Sequence, residues 1–468
     1  MTMDTTVSKI GIQKNSLEGS LRPATRSLQR PASNLKGGSD EFQYPPTGQA
    51  LATSTNAIES KSSETLPTLT SKQKTIATVQ FITLCWTLFV AGWNDGTTGP
   101  LLSRIQAVYG LNFAVVSLIF VFSCVGFITG AISNMWLTDK LGFGKTLVLG
   151  SCCQLVAYSI QCSAPPFPAF VFAYVLNGFG IAVQDAQANG FVAVLKRSPE
   201  TKMGVLHAAY GLGAFAAPLA ATQFAQLPRW SFHFLVSLGV SILNTVLLVV
   251  VFRFQKQDEC LKQAGEVIPE RTASDEATFK QVLRNRAVHF LAIFVFVYVG
   301  VEVTIGGWIV TFIIQERQGG PSSGYISSGF FGGLTVGRVL LLWVNKKIGE
   351  RRVIYIYAVL SIGLEFIVWF VPSLIGNAVA VSIVGVLLGP MFAIAINHAS
   401  RVLPRWILTG SIGWIAGFGQ AGSAVLPFMT GAIAEKHGLH SLQPLLVSMM
   451  GFMMVLWYLV PSQPRRVD

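Results

Sequence analysis

The chain has 468 residues, of which 51% are hydrophobic and only 12% are charged, whereas soluble domains carry about 25% charged residues. Its net charge of +12 would suit a nucleic-acid partner. However, apolar stretches of about 20 residues recur along almost the whole length and predict an all-α polytopic membrane protein. The expected partner is therefore the lipid bilayer, and no nucleic acid.

The six cysteines lie mostly inside apolar stretches, and their spacing is neither that of metal ligands nor that of a secreted disulfide framework. The sequence contains no nucleotide-binding loop, nucleophile elbow or His/Cys cluster. We therefore expect no metal, no cofactor and no enzymatic activity.

The order of polar and apolar segments predicts the domain organisation. Residues 1–73 are rich in Ser, Thr, Pro, Gln and Gly and predict a disordered cytosolic tail. Two six-helix bundles, 74–254 and 287–461, are expected on either side of a cytosolic loop, 255–286, with a short cytosolic tail, 462–468. The twelve predicted transmembrane helices are residues 75–99, 113–137, 146–163, 167–195, 204–226, 231–252, 288–314, 324–345, 352–372, 375–401, 406–433 and 442–460.

The distribution of Lys and Arg indicates the orientation, because cytosolic loops of membrane proteins carry an excess of both. With the N-terminus in the cytosol, nearly all 34 basic residues fall in cytosolic segments. The exceptions are Arg104, Arg229, Arg317, Arg338 and Lys436. We expect both termini in the cytosol, with the protein in the plasma membrane or in an internal membrane such as that of the vacuole. The positive charge then reflects topology.

The two halves of the chain are related by a repeat. A shift of 207 residues places Gly126 on Gly333, and a shift of 209 further along places Gly213 on Gly422. Several other glycines and a Lys-x-Gly triplet keep the same register. The halves are therefore predicted to be copies of one six-helix unit.

The first apolar segment contains an acid that a membrane helix does not ordinarily carry. Asp95 lies in the stretch Gly92–Leu102, and a charge near the centre of a membrane helix costs about 2.5–3.5 kcal/mol on insertion scales. The shift of 207 places Asp95 on Glu302. Binding sites in repeat-built transporters lie near the bilayer midplane, where the repeats meet. We therefore expect both acids to face one cavity, with a structural ion pair or helix cap as the alternative for Asp95.

Further polar residues inside the apolar segments either line this cavity or hold helices together. Arg338 is a possible charge partner for Glu302 or Glu365, and its alternative is to extend to the membrane interface. The residues predicted for proton coupling or for the substrate cavity are Asp95, Asn94, Asp185, Gln184, Asn189, Glu302, Trp308, His207, Tyr210, Asn397 and Gln420.

The loop after the second predicted helix reads Asp-Lys-Leu-Gly-Phe-Gly-Lys from Asp139 to Lys145 and resembles the signature of the major facilitator superfamily. The resemblance covers about residues 75–460. It implies two six-helix bundles that rock about a central site. It also implies a cytosolic latch formed by Asp139, Lys140, Gly142 and Lys145.

Within this superfamily, the chain is most similar to the fucose–proton symporter branch and its fungal relatives. The resemblance rests on Trp93–Gly96, Gln184–Asn189, and Glu302 with Gly306–Trp308. It implies a monomeric secondary transporter that couples a small solute to protons by symport. Two alternatives remain open: a proton-driven exporter of a fungal secondary metabolite or drug, and a nutrient receptor that does not transport.

Overall fold

The computed structural model of the protein describes residues 69–266 and 281–461, apart from the side chains of Arg405, Trp406 and Thr409. Over these ranges the chain is helical and contains no β-strand.

Three predicted segments lie wholly or partly outside the described residues. They are most of the N-terminal tail 1–73, residues 267–280 of the central loop, and the C-terminal tail 462–468.

The first half of the described chain forms a bundle of six long helices. Their bounds are α1 Ser71–Tyr109, α2 Phe113–Leu141, α3 Phe143–Cys162, α4 Phe167–Ala193, α5 Pro199–Ala225 and α6 Trp230–Phe252.

The second half forms another six-helix bundle. Its helices are α7 Arg286–Glu316, α8 Pro321–Leu340 with Leu342–Ile348 at a 52° bend, α9 Glu350–Phe370, α10 Leu374–Val402, α11 Arg405–His437 and α12 Leu439–Leu459.

Ten of the described helices are long and apolar enough to cross a membrane, and the bent pair in α8 makes eleven. The remaining helix, α11, has 33 residues, whereas a span needs about 20. The helices begin within a few residues of the predicted positions. The predicted fold class, an all-α polytopic protein with two six-helix bundles, is confirmed.

The largest difference from the predicted helices is at the end of α1. The prediction ended this helix at residue 99, but it continues through Pro100 to Tyr109 and ends at Gly110 with φ 61°. Proline lacks one N–H group and clashes with the preceding turn, which usually ends or kinks a helix. Here buried packing on both sides of Pro100 stabilises the helix, and Arg104 lies on α1 beyond the predicted helix end.

The start of the predicted central loop is ordered against the first bundle. A short helix, Gln257–Gln263, contacts α1. Gln80 Nε2 of α1 donates a hydrogen bond of 3.3 Å to the carbonyl of Cys260 in this helix. The backbone N–H of Lys196 donates to Glu266 Oε2 at 3.0 Å. Burial raises the pKa of the Cys260 thiol to about 12, so this thiol stays protonated and apolar at neutral pH.

The sequence repeat also appears in the helix packing. A Cβ on Gly126 of α2 would collide with the backbone of Val175 in α4, and a Cβ on Gly333 of α8 would collide with that of Ser382 in α10. The shift of 207 relates Gly126 to Gly333, and it also relates Val175 to Ser382. Small residues allow such close approach of helix backbones. Two further contacts repeat with the shift of 207: Gly130–Phe179 with Gly337–Val386, and Gly178–Ser123 with Gly385–Phe330. A third, Gly213–Phe89 with Gly422–Phe296, repeats with shifts of 209 and 207.

We call the face of the molecule at which α1 begins the N-terminal face, and the face at which α1 ends the opposite face. The bundles meet near the opposite face. There the Phe113 N–H donates to Glu435 Oε2 at 2.9 Å, and Gln226 Nε2 donates to the carbonyl of Pro321 at 3.2 Å. The two bundles therefore close the molecule on that side.

Towards the N-terminal face, the same helices are apart. Met135 lies three turns from Cys124 on one face of α2 and is 75% exposed. On α11, Gly413 shares a helix face with Gln420, and a Cβ on this glycine would meet no atom within 4 Å. The space between the bundles is therefore open towards the N-terminal face.

Candidate functional site

The glycines around Asp95 set how closely α1 approaches its neighbours. A Cβ on Gly92 would meet the carbonyl of Tyr210 in α5, and a Cβ on Gly96 would meet that of Ala214. On the other side, a Cβ on Gly99 would meet the carbonyl of Gly306 in α7. Gly92 and Gly96 bring the middle of α1 against α5 in its own bundle, and Gly99 brings α1 against α7 of the second bundle.

This close packing brings Asp95 beside Tyr210. The Tyr210 hydroxyl donates to Asp95 Oδ2 at 2.6 Å, and Asn94 Nδ2 donates to Asp95 Oδ1 at 3.1 Å. Asp95 is exposed to the space between the bundles. Within the described residues no cationic side chain lies within 4.0 Å of it. The carboxylate is thus held by neutral donors and remains accessible.

Asn94 links this carboxylate to α3 and α4. Its Oδ1 accepts hydrogen bonds from the amide of Asn177 and from the hydroxyl of Tyr158, the latter at 3.4 Å. All three side chains are buried. A buried polar network of this kind fixes side-chain orientation, so Asn94 presents its amide N–H to Asp95 in a defined direction.

The back of α1 is fixed against α6. Trp93 Nε1 donates to Ser237 Oγ at 2.9 Å, and the Trp93 ring stacks on His233 at 5.7 Å with 3° between the planes. Thr97 Oγ1 lies 3.0 Å from His233 Nε2. These contacts on both sides of Asp95 in sequence hold the carboxylate-bearing turn towards the cavity.

The second acid has a cationic partner. Glu302 of α7 lies 3.6 Å from the guanidinium of Arg338 in α8, with 14% and 28% of the two side chains exposed. Arg338 therefore pairs with Glu302, one of the alternatives that the sequence left open, rather than with Glu365. One turn before Glu302, the Tyr298 hydroxyl donates to the carbonyl of Leu388 in α10 at 3.1 Å.

A cavity of about 150 Å³ lies between the bundles and brings both acids together. Its polar lining includes Asp95 and Tyr210 from the first bundle and Glu302, Gln420 and Ser423 from the second. Ligand pockets for drug-sized molecules are about 300–1,000 Å³. The size and lining of this cavity suit a small polar solute.

Six of the predicted site residues lie outside the lining of this cavity. Asp185 of α4 is half-buried, and its Oδ1 accepts a hydrogen bond of 2.9 Å from Asn189 Nδ2 one turn further along. It lies one turn beyond Ile181, which does line the cavity, on the side of the N-terminal face. Gln184 points to α3 instead, where its Nε2 donates to the carbonyl of Leu147 at 3.1 Å.

Trp308 is fully buried in packing rather than exposed in the cavity. Its Nε1 donates to the carbonyl of Pro427 at 3.0 Å, and its ring contacts Phe113 and Phe120. His207 and Asn397 are exposed and are not among the residues that line the cavity. The roles predicted for these residues stay predictions.

The sequence analysis did not single out Tyr174, Thr98 or Ser423, which also line the cavity. For Tyr174 a signal was available. It lies one turn before Gly178 and two turns before Ile181, so residues at helical spacing mark one cavity face of α4.

The predicted latch residues lie at the turn between α2 and α3. Gly142 has φ 82° there, and Lys140 Nζ lies 4.5 Å from the centre of the Trp136 ring. Asp139 and Lys145 are exposed, and Asp139 has no cationic partner within 4.0 Å in the described part of the chain. The repeat-related turn has Gly349 with φ 93°. The latch role stays a prediction.

The fold and the cavity between its bundles define a multi-pass membrane transporter of a small solute. Residues 84–405 match the sequence model of the Major Facilitator Superfamily, and the chain belongs to that family.

Two relatives match most of the chain. It is 25% identical over 459 residues to "Bypass of stop codon protein 6" of Saccharomyces cerevisiae, covering 92% of each chain. It is 24% identical over 353 residues to the glucose/mannose transporter GlcP of Bacillus subtilis, covering 73% of this chain and 85% of the relative.

Solved structures agree on the fold. A bacterial homolog of the human lysosomal transporter Spinster, in an inward-facing and unoccupied conformation, matches with a TM-score of 0.67 at 10% identity, over 84% of this chain and 98% of that one. The E. coli fucose:proton symporter FucP matches with a TM-score of 0.57 at 15% identity, over 82% and 99%. The predicted resemblance to the superfamily and to this symporter is confirmed at the level of family and fold.

Proposed function

We propose that the protein imports a neutral monosaccharide together with a proton. Relatives named as glucose/mannose and glucose/galactose transporters support a sugar as the solute. The lining of the central cavity is compatible with this solute, because hydroxyl, amide and carboxyl groups can bind sugar hydroxyls.

The observation that carries the proposal is the pair of unequal acids in one cavity. Asp95 is held only by neutral donors, whereas Glu302 lies beside Arg338. A nearby cation favours the charged form of a carboxylate. We therefore assign the transported proton to Asp95 and a permanent charge pair to Glu302 and Arg338. Protonation of Asp95 removes the unpaired charge from the cavity and allows the loaded protein to change conformation.

The transport step requires the cavity to reach each side of the membrane in turn. In the present arrangement, the solute exchanges through the open N-terminal face. The other state requires separation of the contacts near the opposite face, such as Gly99 on Gly306 and Gln226 on Pro321. We also propose that the protein is a monomer in the plasma membrane with both termini in the cytosol.

Uptake into proteoliposomes tests the coupling. With an internal pH-sensitive dye and an inward proton gradient, we expect glucose, mannose or galactose to drive acidification by the wild type. Asp95→Asn should abolish this acidification but retain counterflow of the labelled sugar, because exchange does not require release of the proton. Glu200→Gln, an exposed acid in the first turn of α5, is the matched control and should behave as the wild type.

The results separate the alternatives. Sugar-dependent proton flux that is unchanged in Asp95→Asn would overturn the role of Asp95. Wild-type protein that exchanges none of the three sugars would overturn the assignment of a monosaccharide. Outward transport driven by the proton gradient would favour an exporter.

A further inference from the structure

The second bundle contains a buried acid that has no place in the proposed transport mechanism. Glu365 of α9 and Gln443 of α12 both have 0% exposure. The Gln443 amide is the polar side chain that interacts with this carboxyl. Yet neither Glu365 oxygen, nor the side-chain amide nitrogen or oxygen of Gln443, has a hydrogen-bond partner among the described residues. On the same face of α9, one turn earlier, the buried Ser361 hydroxyl also lacks a partner.

In the described part of the chain, no cation compensates the charge of this carboxyl. Among the described residues, no Lys, Arg or His nitrogen lies within 4.0 Å of Glu365. Arg317 at the end of α7 binds α9 about one turn after Glu365. However, its guanidinium donates to the carbonyls of Val368 and Trp369 at 2.9 and 2.7 Å.

The other ionisable groups on the helices packed against α9 lie elsewhere. On α12, His440 is exposed at the start of the helix, and Tyr458 is exposed at its other end. The other charged residues of α9 and α10 lie near the N-terminal face, where Arg401 pairs with Glu350 at 3.1 Å, and Arg338 of α8 pairs with Glu302 beside the central cavity. Along α9, Glu365 lies more than three helical turns from the charged residues Glu350, Arg351 and Arg352 at the start of the helix.

An ionised carboxylate in such surroundings is strongly disfavoured, because burial without a counter-ion removes its hydration and supplies nothing in return. The neutral acid has no such cost, and its O–H can donate to Gln443 Oε1. We propose that Glu365 is a proton-binding site outside the central cavity, where a proton taken from water during assembly stays on the carboxyl and joins α9 to α12 through Gln443.

This site is distinct from the transport site. Glu365 is not among the residues that line the cavity, and it is closed to solvent, whereas Asp95 is exposed there. Its proton is therefore retained during transport rather than exchanged with each cycle. The inference does not depend on the proposed function, and each can fail without the other.

Infrared spectroscopy of the purified full-length protein at about pH 8 tests the proposal, because an ordinary glutamate, with a pKa of about 4.3, is ionised there. The difference spectrum between wild type and Glu365→Gln should contain the C=O band of one protonated carboxyl in the wild type. Gln443→Leu should keep this band but shift it to higher frequency, because the acid loses its acceptor. Glu200→Gln should leave the band unchanged.

Two results would overturn the site. The first is the absence of the protonated-carboxyl band from the wild type, with a carboxylate band lost in Glu365→Gln instead. The second is a wild-type melting temperature that rises with Na⁺ at constant pH and loses this dependence in Glu365→Gln, because it would assign the site to a metal cation. If Glu365→Gln does not fold, the shift in Gln443→Leu decides between the outcomes.

Discussion

The Glu302–Arg338 pair allows us to predict which single substitution lowers the stability of the folded protein more. Glu302→Gln leaves an arginine that remains charged under all ordinary conditions. Arg338→Gln leaves a carboxyl that can take up a proton and become neutral. We therefore expect Glu302→Gln to destabilise the folded protein more than Arg338→Gln, and the double variant to be more stable than the sum of the two effects predicts.

The magnitude follows from the geometry. At 3.6 Å and an effective dielectric constant of about 20, the attraction between the two charges is about 5 kcal/mol before desolvation. Both side chains are partly exposed, at 14% and 28%, so screening and desolvation reduce this value. We expect a coupling energy of about 1–3 kcal/mol, the usual range for residues in contact.

Thermal unfolding of the purified protein measures this cycle. For a unit of about 150–250 residues, 1 kcal/mol changes the melting temperature by about 2–4 °C. The pair Arg401–Glu350 is the control, because Arg401 is 67% exposed and such surface pairs contribute about 0–1 kcal/mol. Additive effects in the double variant, or a larger loss for Arg338→Gln than for Glu302→Gln, would refute the reasoning.

Two further substitutions test the packing and the site. Gly126→Leu should lower the free energy of unfolding by about 3 kcal/mol or more and reduce the yield of folded protein, because its Cβ would collide with the backbone of Val175. This backbone cannot move away as a side chain can. Gly239→Leu is the control and should be tolerated, because a Cβ on Gly239 would meet no atom within 4 Å. Tyr210→Phe removes the 2.6 Å hydrogen bond to Asp95. A hydrogen bond to a charged group contributes about 1.5–3 kcal/mol, so proton-coupled uptake should fall about tenfold or more at equal expression, and unchanged uptake would contradict the role of this bond.

The fold could be predicted almost completely from the sequence, because each membrane helix must be a long apolar stretch and satisfies its own backbone hydrogen bonds. The repeat was equally informative, since Gly126 and Gly333 occupy the same register and make the same kind of contact. The end of α1 was not predicted. Pro100 usually marks a helix end, and only the tertiary packing around it explains why α1 continues to Tyr109.

The site could be predicted only in part. The sequence indicates that a polar residue inside a membrane helix avoids lipid, but it does not distinguish a cavity from a contact between helices. Asp95, Glu302 and Gln420 face the cavity, whereas Gln184 faces α3 and Trp308 is packed against neighbouring helices. Adjacent residues of a helix face different directions, and the packing of the neighbouring helices decides which of them faces the cavity.

The repeat relates Asp95 to Glu302, yet their surroundings break the symmetry. Tyr210 of α5 donates to Asp95, and the second bundle instead supplies Arg338 from α8 to Glu302. Two unpaired acids facing each other in one cavity would repel and would both favour protonation. One arginine removes that competition by neutralising Glu302, and among the described residues that line the cavity Asp95 remains as the single carboxylate without a counter-ion. Under the proposed mechanism, this asymmetry is what would allow one cavity built from two similar halves to bind one proton at a defined position.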